Sequence, residues 1–89
     1  MARVEAFTIE GLTCWFYSND HRPPHFHVKR ANEWEARIFF LEVNEEDMIR
    51  LVWKKSNPSK AHRDEIMRQS GLHRADLLAQ WERIHGAHG

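Results

Sequence analysis

The residues best suited to chemistry lie in one short stretch, residues 20–28, which we call the corner segment. It holds one aspartate, three histidines and two adjacent prolines. Neutral imidazole is the commonest protein ligand for transition metals, and it can also give or take a proton near neutral pH. The corner segment is therefore the first candidate for a functional site. Its chemically capable side chains are Asp20, His21, His25 and His27.

The proline pair predicts how these side chains are held. Each proline ring fixes its own φ and pushes the preceding residue toward extended backbone. The polar–apolar alternation that follows, over residues 25–28, predicts the start of a strand. Because strand side chains alternate between faces, His25 and His27 should share one face, about 6.6–7 Å apart. Phe26 and Val28 should then point into the core, so we expect both imidazoles on the exposed face of the sheet.

One interpretation of this pattern is a metal site. Two histidines on one strand face can hold a single ion, and the rigid corner can bring another side chain back toward it. Three imidazoles and one carboxylate are enough to bind zinc. The candidate cofactor is a divalent metal ion such as zinc, with the predicted ligands Asp20, His21, His25 and His27.

A second interpretation is phosphate chemistry, as in a small ribonuclease of the toxin type. A pair of histidines can act as general base and general acid near neutral pH. A basic side chain would hold the phosphate, and Trp15 and Tyr17 could stack on a base. The candidates for the phosphate contact are Arg22, Lys29 and Arg37. The candidate catalytic residues are His25, His27 and Arg37.

A third interpretation is purely structural. The Asp20 carboxylate would cap the turn, and the histidines would bond backbone groups around the corner or lie at a dimer interface. The spacing of the residues leaves all three interpretations open.

Composition restricts the class of protein. A chain of 89 residues is predicted to form a single domain, residues 1–89. Its 13 basic and 13 acidic residues cancel, which argues against strong non-specific binding of nucleic acid. The single cysteine, Cys14, excludes an intramolecular disulfide and a cysteine-based zinc site. No apolar run is long enough to span a membrane, so we expect no membrane partner and a reducing cytoplasm as the compartment.

The elements that must position the corner segment follow from periodicity. Alternation over about residues 2–53 predicts an antiparallel sheet of 4–5 strands, with a tight turn at Gly11 and an acidic turn at residues 43–47. The last run, residues 48–53, favours a strand, although a helix has the same length. The predicted strands lie within residues 1–10, 12–17, 25–29, 34–41 and 48–53.

Helical spacing then covers about residues 58–85. Pro58 suits the first turn, and Ser56, Asn57 or Ser59 could cap it. Gly71 interrupts the pattern, which predicts either one kinked helix or two. Residues 86–89 are predicted to be a frayed tail. The apolar face of the helical part comprises Ile66, Leu77, Leu78, Trp81 and Ile84.

Burial then sets the architecture. A sheet with one apolar face needs a cover, so we predict an α+β fold in which the C-terminal helix, or a broken helix pair, covers one face. Trp15, Tyr17 and Lys29 would form an interaction face on the other side, although the two aromatic residues could instead form a second small core. The side chains predicted to point away from the helix are those of His25, His27, Lys29, Glu35 and Arg37.

The run from Tyr17 to Val28 resembles the hallmark of a small bacterial family, known as domain of unknown function 4160. A strand like that of residues 35–38 (Glu-Ala-Arg-Ile) and a C-terminal helix with a leucine pair and a tryptophan extend the resemblance over nearly the full length. The stretch from Leu41 to Lys60 departs from the family's usual form, which puts the fifth strand and the helix start in question.

The resemblance implies no assigned reaction. Members of the family are often encoded beside another small protein, an arrangement similar to toxin–antitoxin pairs. It therefore implies a small protein partner, and an interaction module of this kind is the leading functional expectation. A homodimer and a nucleic acid are the other candidate partners, and the alternative function is a metal-binding or phosphodiester-cleaving enzyme that uses His25 and His27.

Overall fold

The chain forms one antiparallel sheet whose five strands follow one another in sequence order. The computed structural model describes residues 1–86. Its strands are β1 (Ala2–Arg3), β2 (Thr13–Phe16), β3 (Phe26–Arg30), β4 (Trp34–Ile38) and β5 (Ile49–Lys54). Its helices are α1 (Glu45–Met48), α2 (Lys60–Leu72) and α3 (Arg74–His85). The predicted α+β architecture, with a pair of C-terminal helices, is confirmed.

The register of the strands defines two faces. Alternate residues of β2, β3 and β4 are fully buried against the helices, as the period of two requires. We call the opposite side the open face. One row of opposed residues crosses all five strands on the open face and comprises Arg3, Trp15, His27, Arg37 and Arg50.

The main core lies between the sheet and the helices. Leu77 and Ile66 are fully buried in it, and Trp81 is nearly so. Leu78 and Ile84 are partly buried and pack against the same cluster. The apolar helix face that the sequence predicts is therefore the face that covers the sheet.

Several boundaries differ from the predicted ones. β1 has only two residues, and β4 ends at Ile38. The predicted acidic turn includes the short helix α1, whose first turn carries three acidic residues, a charge that favours the amino end of a helix. The segment after α1 is a strand, so the strand interpretation of residues 48–53 was right.

The helical part is broken at His73 and not at Gly71. Gly71 lies inside α2, whereas His73 has non-helical backbone angles and joins α2 to α3. At the amino end of α2, the Ser59 hydroxyl accepts a hydrogen bond from the His62 N–H at 3.1 Å. The turn before β2 uses Gly11 with a φ of +83°, a conformation that glycine adopts readily.

Of the predicted frayed tail, residues 87–89 lie outside the described residues. Within residues 1–86, no helix has the length and apolar character needed to cross a bilayer.

Candidate functional site

The corner segment folds back over one end of the open face. The peptide bond between Arg22 and Pro23 is cis. Asp20 lies beside the start of β3, and its carboxylate accepts a hydrogen bond from the backbone N–H of Tyr17 at 3.4 Å. The carboxylate faces the two histidines that the sequence assigns to one strand face.

His27 is the residue most tightly held by Asp20. Its Nε2 lies 2.9 Å from Oδ2 of Asp20. Its ring stacks on the indole of Trp15, with the centroids 5.5 Å apart, and meets the ring of Tyr17 at 4.7 Å. The aromatic packing fixes the plane of the imidazole, and the carboxylate fixes its direction.

His25 is oriented by the backbone instead. Its Nδ1 lies 2.9 Å from the carbonyl oxygen of Pro23. A carbonyl can only accept, so Nδ1 carries the proton, and Nε2 of the neutral ring presents its lone pair. That Nε2 lies 3.5 Å from the same Asp20 oxygen, Oδ2. The rings of Phe39 and Trp81 flank the imidazole at 5.0 and 5.6 Å.

The groups around His25 shift the pKa of its imidazole in opposite directions. Burial lowers the pKa of its imidazole below the ordinary value. The hydrogen bond to Pro23 and the charge of Asp20 oppose that shift, whereas His27 and Arg37 add to it. Arg37 lies directly opposite His27 in the β3–β4 register and lines the same pocket as His25.

Three of the four predicted metal ligands converge. Asp20, His25 and His27 each offer one ligand atom, and these atoms lie within 4.8 Å of one another. Together these three groups could hold one metal ion. His21 is exposed and stands outside this group. We call the three converging residues the triad.

The predicted exposure of the two imidazoles is wrong. His25 is 5% exposed and His27 is 4% exposed. Alternation along β3 assigns the side chains to faces, but it does not show that aromatic side chains and the corner segment cover the open face there. The prediction that His25 points away from the helices also fails, because its ring contacts Trp81 of α3.

The predicted interaction face is covered in part for the same reason. Trp15 is buried, Lys29 is half-buried, and only Tyr17 is exposed. Trp15 therefore belongs to a second small aromatic cluster on the open face, which is one of the two alternatives for this side of the sheet.

A pocket of about 640 Å³ opens beside the triad. Arg37, which is exposed on β4, lines this pocket, as do His21 and Arg22 of the corner segment. Sequence reasoning missed Phe39 and Val52 as lining residues. Phe39 shares the parity of Arg37 and could have been found, whereas Val52 reaches the pocket at an irregularity in the β4–β5 register, which the sequence does not signal.

The geometry ranks the chemical interpretations. Nε2 of His25 and Nδ1 of His27 are buried and have no hydrogen-bond partner within residues 1–86. A general acid or base must reach the substrate through a hydrogen bond, and these two nitrogens are inaccessible to solvent, although both histidines line the pocket. A metal ion held between the three converging groups would contact the ring nitrogens directly. Cys14 offers no alternative ligand, because burial raises the pKa of its thiol to about 12.

Comparison with known families identifies the family of the chain. The profile of the family described as "Domain of unknown function (DUF4160)" matches residues 11–82. The chain therefore belongs to this family, and the resemblance stated from the sequence is confirmed. Comparison with curated proteins and with solved structures gives no match. The family description states no activity, so function has to be argued from the site.

Proposed function

We propose that the chain binds one divalent transition-metal ion, zinc foremost, through Asp20, His25 and His27. The observation that carries the proposal is the convergence of these three ligand groups on one another. The backbone bond from His25 Nδ1 to Pro23 supports it, because histidine ligands of metals commonly donate their other N–H to a carbonyl or a carboxylate.

The donor set fits a catalytic metal more closely than a structural one. Structural zinc sites are closed by four protein ligands, whereas catalytic sites use three and keep one position open. A zinc ion held in this way supplies Lewis-acid chemistry. The chain's own contribution is to fix the two imidazoles through Trp15 and the Pro23 carbonyl, and to offer the adjoining pocket for a ligand.

The test is titration of zinc into untagged, metal-free protein by isothermal calorimetry. We expect one ion per chain, and a loss of affinity of about tenfold or more in Asp20→Asn and in His27→Gln. The matched control is His21→Asn, which changes a histidine of the same segment outside the triad and should leave the affinity unchanged.

Two results would overturn the metal proposal. One is the absence of zinc binding by the folded wild-type protein. The other is equal affinity in the wild type and in His27→Gln, once circular dichroism has shown that the variant is folded. Cobalt substitution gives an independent readout, because the absorption spectrum of Co²⁺ reports the ligand geometry.

We also propose that the chain acts with a protein partner, as one component of a bacterial, cytoplasmic module of the toxin–antitoxin kind. The family resemblance supports this role. So do three large apolar side chains exposed on the open face, which suit a protein contact. These are Tyr17 at 38%, Val52 at 47% and Trp53 at 37% exposure.

Co-purification with the product of the neighbouring gene tests this role. We expect a complex that Val52→Lys weakens. Leu72→Lys is the control, because Leu72 is exposed on α2. If the two proteins form no complex in native mass spectrometry, the partner proposal is wrong, and the metal proposal is unaffected.

A further inference from the structure

Two exposed arginines lie opposite each other on the open face of the sheet. Arg37 of β4 is directly opposite Arg50 of β5. Like charges in this position destabilise a sheet, since directly opposed Cβ atoms lie only about 4.5–5.5 Å apart. Both side chains are exposed, and none of the ion pairs within residues 1–86 joins either of them to a carboxylate.

The acidic residue on the same strand face, Glu35, forms no ion pair with either arginine. It lies two residues from Arg37 on β4, and its carboxylate accepts a hydrogen bond from the indole N–H of Trp53 at 3.4 Å. The other neighbour of Arg37 across the sheet is His27, a member of the triad. The arginine pair thus lies next to the candidate metal ligands.

The pocket connects the arginine pair to the triad. Arg37 lines the same pocket as Asp20, His25 and His27, and it interacts electrostatically with His25. A ligand in this pocket can therefore meet the guanidinium of Arg37 and the triad at once. Arg50 does not line the pocket; it lies opposite Arg37 on β5, the edge strand next to β4.

We propose that Arg37 and Arg50 bind the phosphate group of a small phosphate ester, which lies in the pocket against the triad. This inference rests on the proposed metal site and names the class of ligand that the site takes. Guanidinium groups bind phosphate through paired N–H···O bonds. An anion between the two arginines also removes the repulsion that the free protein carries.

Phosphate suits the site better than carboxylate. Two guanidinium groups and a divalent ion together need at least three acceptor oxygens and more than one negative charge. A phosphate monoester has three such oxygens and up to two charges, whereas a carboxylate has two oxygens and one charge.

The size and lining of the pocket also favour a phosphate ester over inorganic phosphate. Its volume of about 640 Å³ falls within the range of sites for whole small molecules. Aromatic side chains of Tyr17 and Phe39 line it together with Val52. These apolar groups would contact the organic part of the ligand.

The experiment compares three probes by calorimetry, on protein with and without one equivalent of zinc. The probes are phenylphosphonate, which phosphoester hydrolysis cannot consume, inorganic phosphate and benzoate. We expect phenylphosphonate to bind most tightly, and zinc to strengthen its binding. Arg37→Gln and Arg50→Gln should each weaken the binding of phenylphosphonate by about tenfold.

The matched control is Arg3→Gln. Arg3 belongs to the same row of the sheet and is exposed, but it lies on β1 and does not line the pocket. Its variant should bind phenylphosphonate like the wild type. A second readout is thermal stability without ligand, which Arg50→Gln should raise because it removes the opposed like charge.

The outcomes separate this inference from the metal proposal. Zinc binding without arginine-dependent phosphonate binding would overturn the phosphate site alone. Arginine-dependent phosphonate binding without zinc binding would leave an anion site and overturn the metal site. If Arg3→Gln and Arg37→Gln lose equal affinity for phenylphosphonate, the attraction is a general effect of positive charge and the inference is wrong. If inorganic phosphate binds more tightly than phenylphosphonate, the assignment to a phosphate ester is wrong.

Discussion

At the scale of single residues, one carboxylate oxygen organises the site. Oδ2 of Asp20 faces the backbone N–H of Tyr17, Nε2 of His27 and Nε2 of His25. The first two contacts are hydrogen bonds. In the third, the neutral ring turns a lone pair toward an oxygen that carries lone pairs of its own, so a cation between them would improve the contact.

The buried state of His25 predicts a dependence of stability on pH in metal-free protein. Burial lowers the pKa of this imidazole below its ordinary value of 6.5, so the unfolded chain takes up the proton first as the pH falls. The free energy of unfolding should therefore decrease as the pH falls through 6.5 toward the native pKa of His25. The total decrease is about 1.4 kcal/mol for each pH unit by which the native pKa lies below 6.5. Urea denaturation in EDTA between about pH 8 and pH 5 measures this.

The other histidines also titrate in this interval, so the control is His25→Asn. The decline should be shallower in this variant than in the wild type. A decline of equal slope in both proteins would show that His25 does not contribute.

Sequence reasoning found these residues but not their surroundings. The types and spacing of Asp20, His25 and His27 are local properties, and the alternation of β3 follows from the chain itself. Their burial depends on Trp81 and Phe39, which are distant in sequence. The opposed arginines were missed as a pair because cross-strand register is set by pairing, not by either strand alone.

At the scale of elements, two glycines have opposite roles. Gly71 lies in the interior of α2, and a Cβ added there would meet no atom within 4 Å. Gly11 has a φ of +83° in the turn before β2. In the sequence, both glycines interrupt a regular pattern. Only at Gly11 does the backbone adopt a conformation that favours glycine.

Gly71→Ala should therefore stabilise the protein, and Gly11→Ala should destabilise it. Alanine in a helix interior is favoured over glycine by about 0.5–1 kcal/mol. Left-handed backbone costs a non-glycine residue about 1–2 kcal/mol. Chemical denaturation of both variants beside the wild type measures the two changes, and a destabilised Gly71→Ala would mean that α2 is broken at that position.

The helix boundaries illustrate what a pattern leaves undecided. Apolar spacing continues through residues 66–84, so it predicts helix without locating the joint. The joint lies at His73. Its carbonyl oxygen accepts a hydrogen bond from the backbone N–H of Leu77 at 2.8 Å, and its own N–H donates to the carbonyl oxygen of Gln69 at 3.0 Å. His73 thus ends one helix and begins the next, and no proline or glycine stands at that position to show it.

At the scale of the whole molecule, the two ends of the chain are joined by one buried side chain. Gln80 of α3 is 3% exposed. Its Oε1 accepts from the N–H of Glu5 at 3.0 Å, and its Nε2 donates to the carbonyl of Arg3 at 2.8 Å. The bridge holds α3 against the segment that follows β1, and it joins residues more than seventy positions apart, which no local pattern predicts.

Gln80→Leu should therefore destabilise the protein by about 1–3 kcal/mol, because it leaves one backbone N–H and one C=O without their partners. The matched control breaks a contact between the same two segments at the surface. Arg83 donates to Glu5 at 2.7 Å, and both side chains are more than half exposed, so Arg83→Gln should cost at most about 1 kcal/mol. Urea denaturation of both variants gives the two values. Equal losses of stability would show that the surface ion pair holds the two segments together as strongly as Gln80 does. A larger loss in Gln80→Leu would show that the buried amide of Gln80 holds them together.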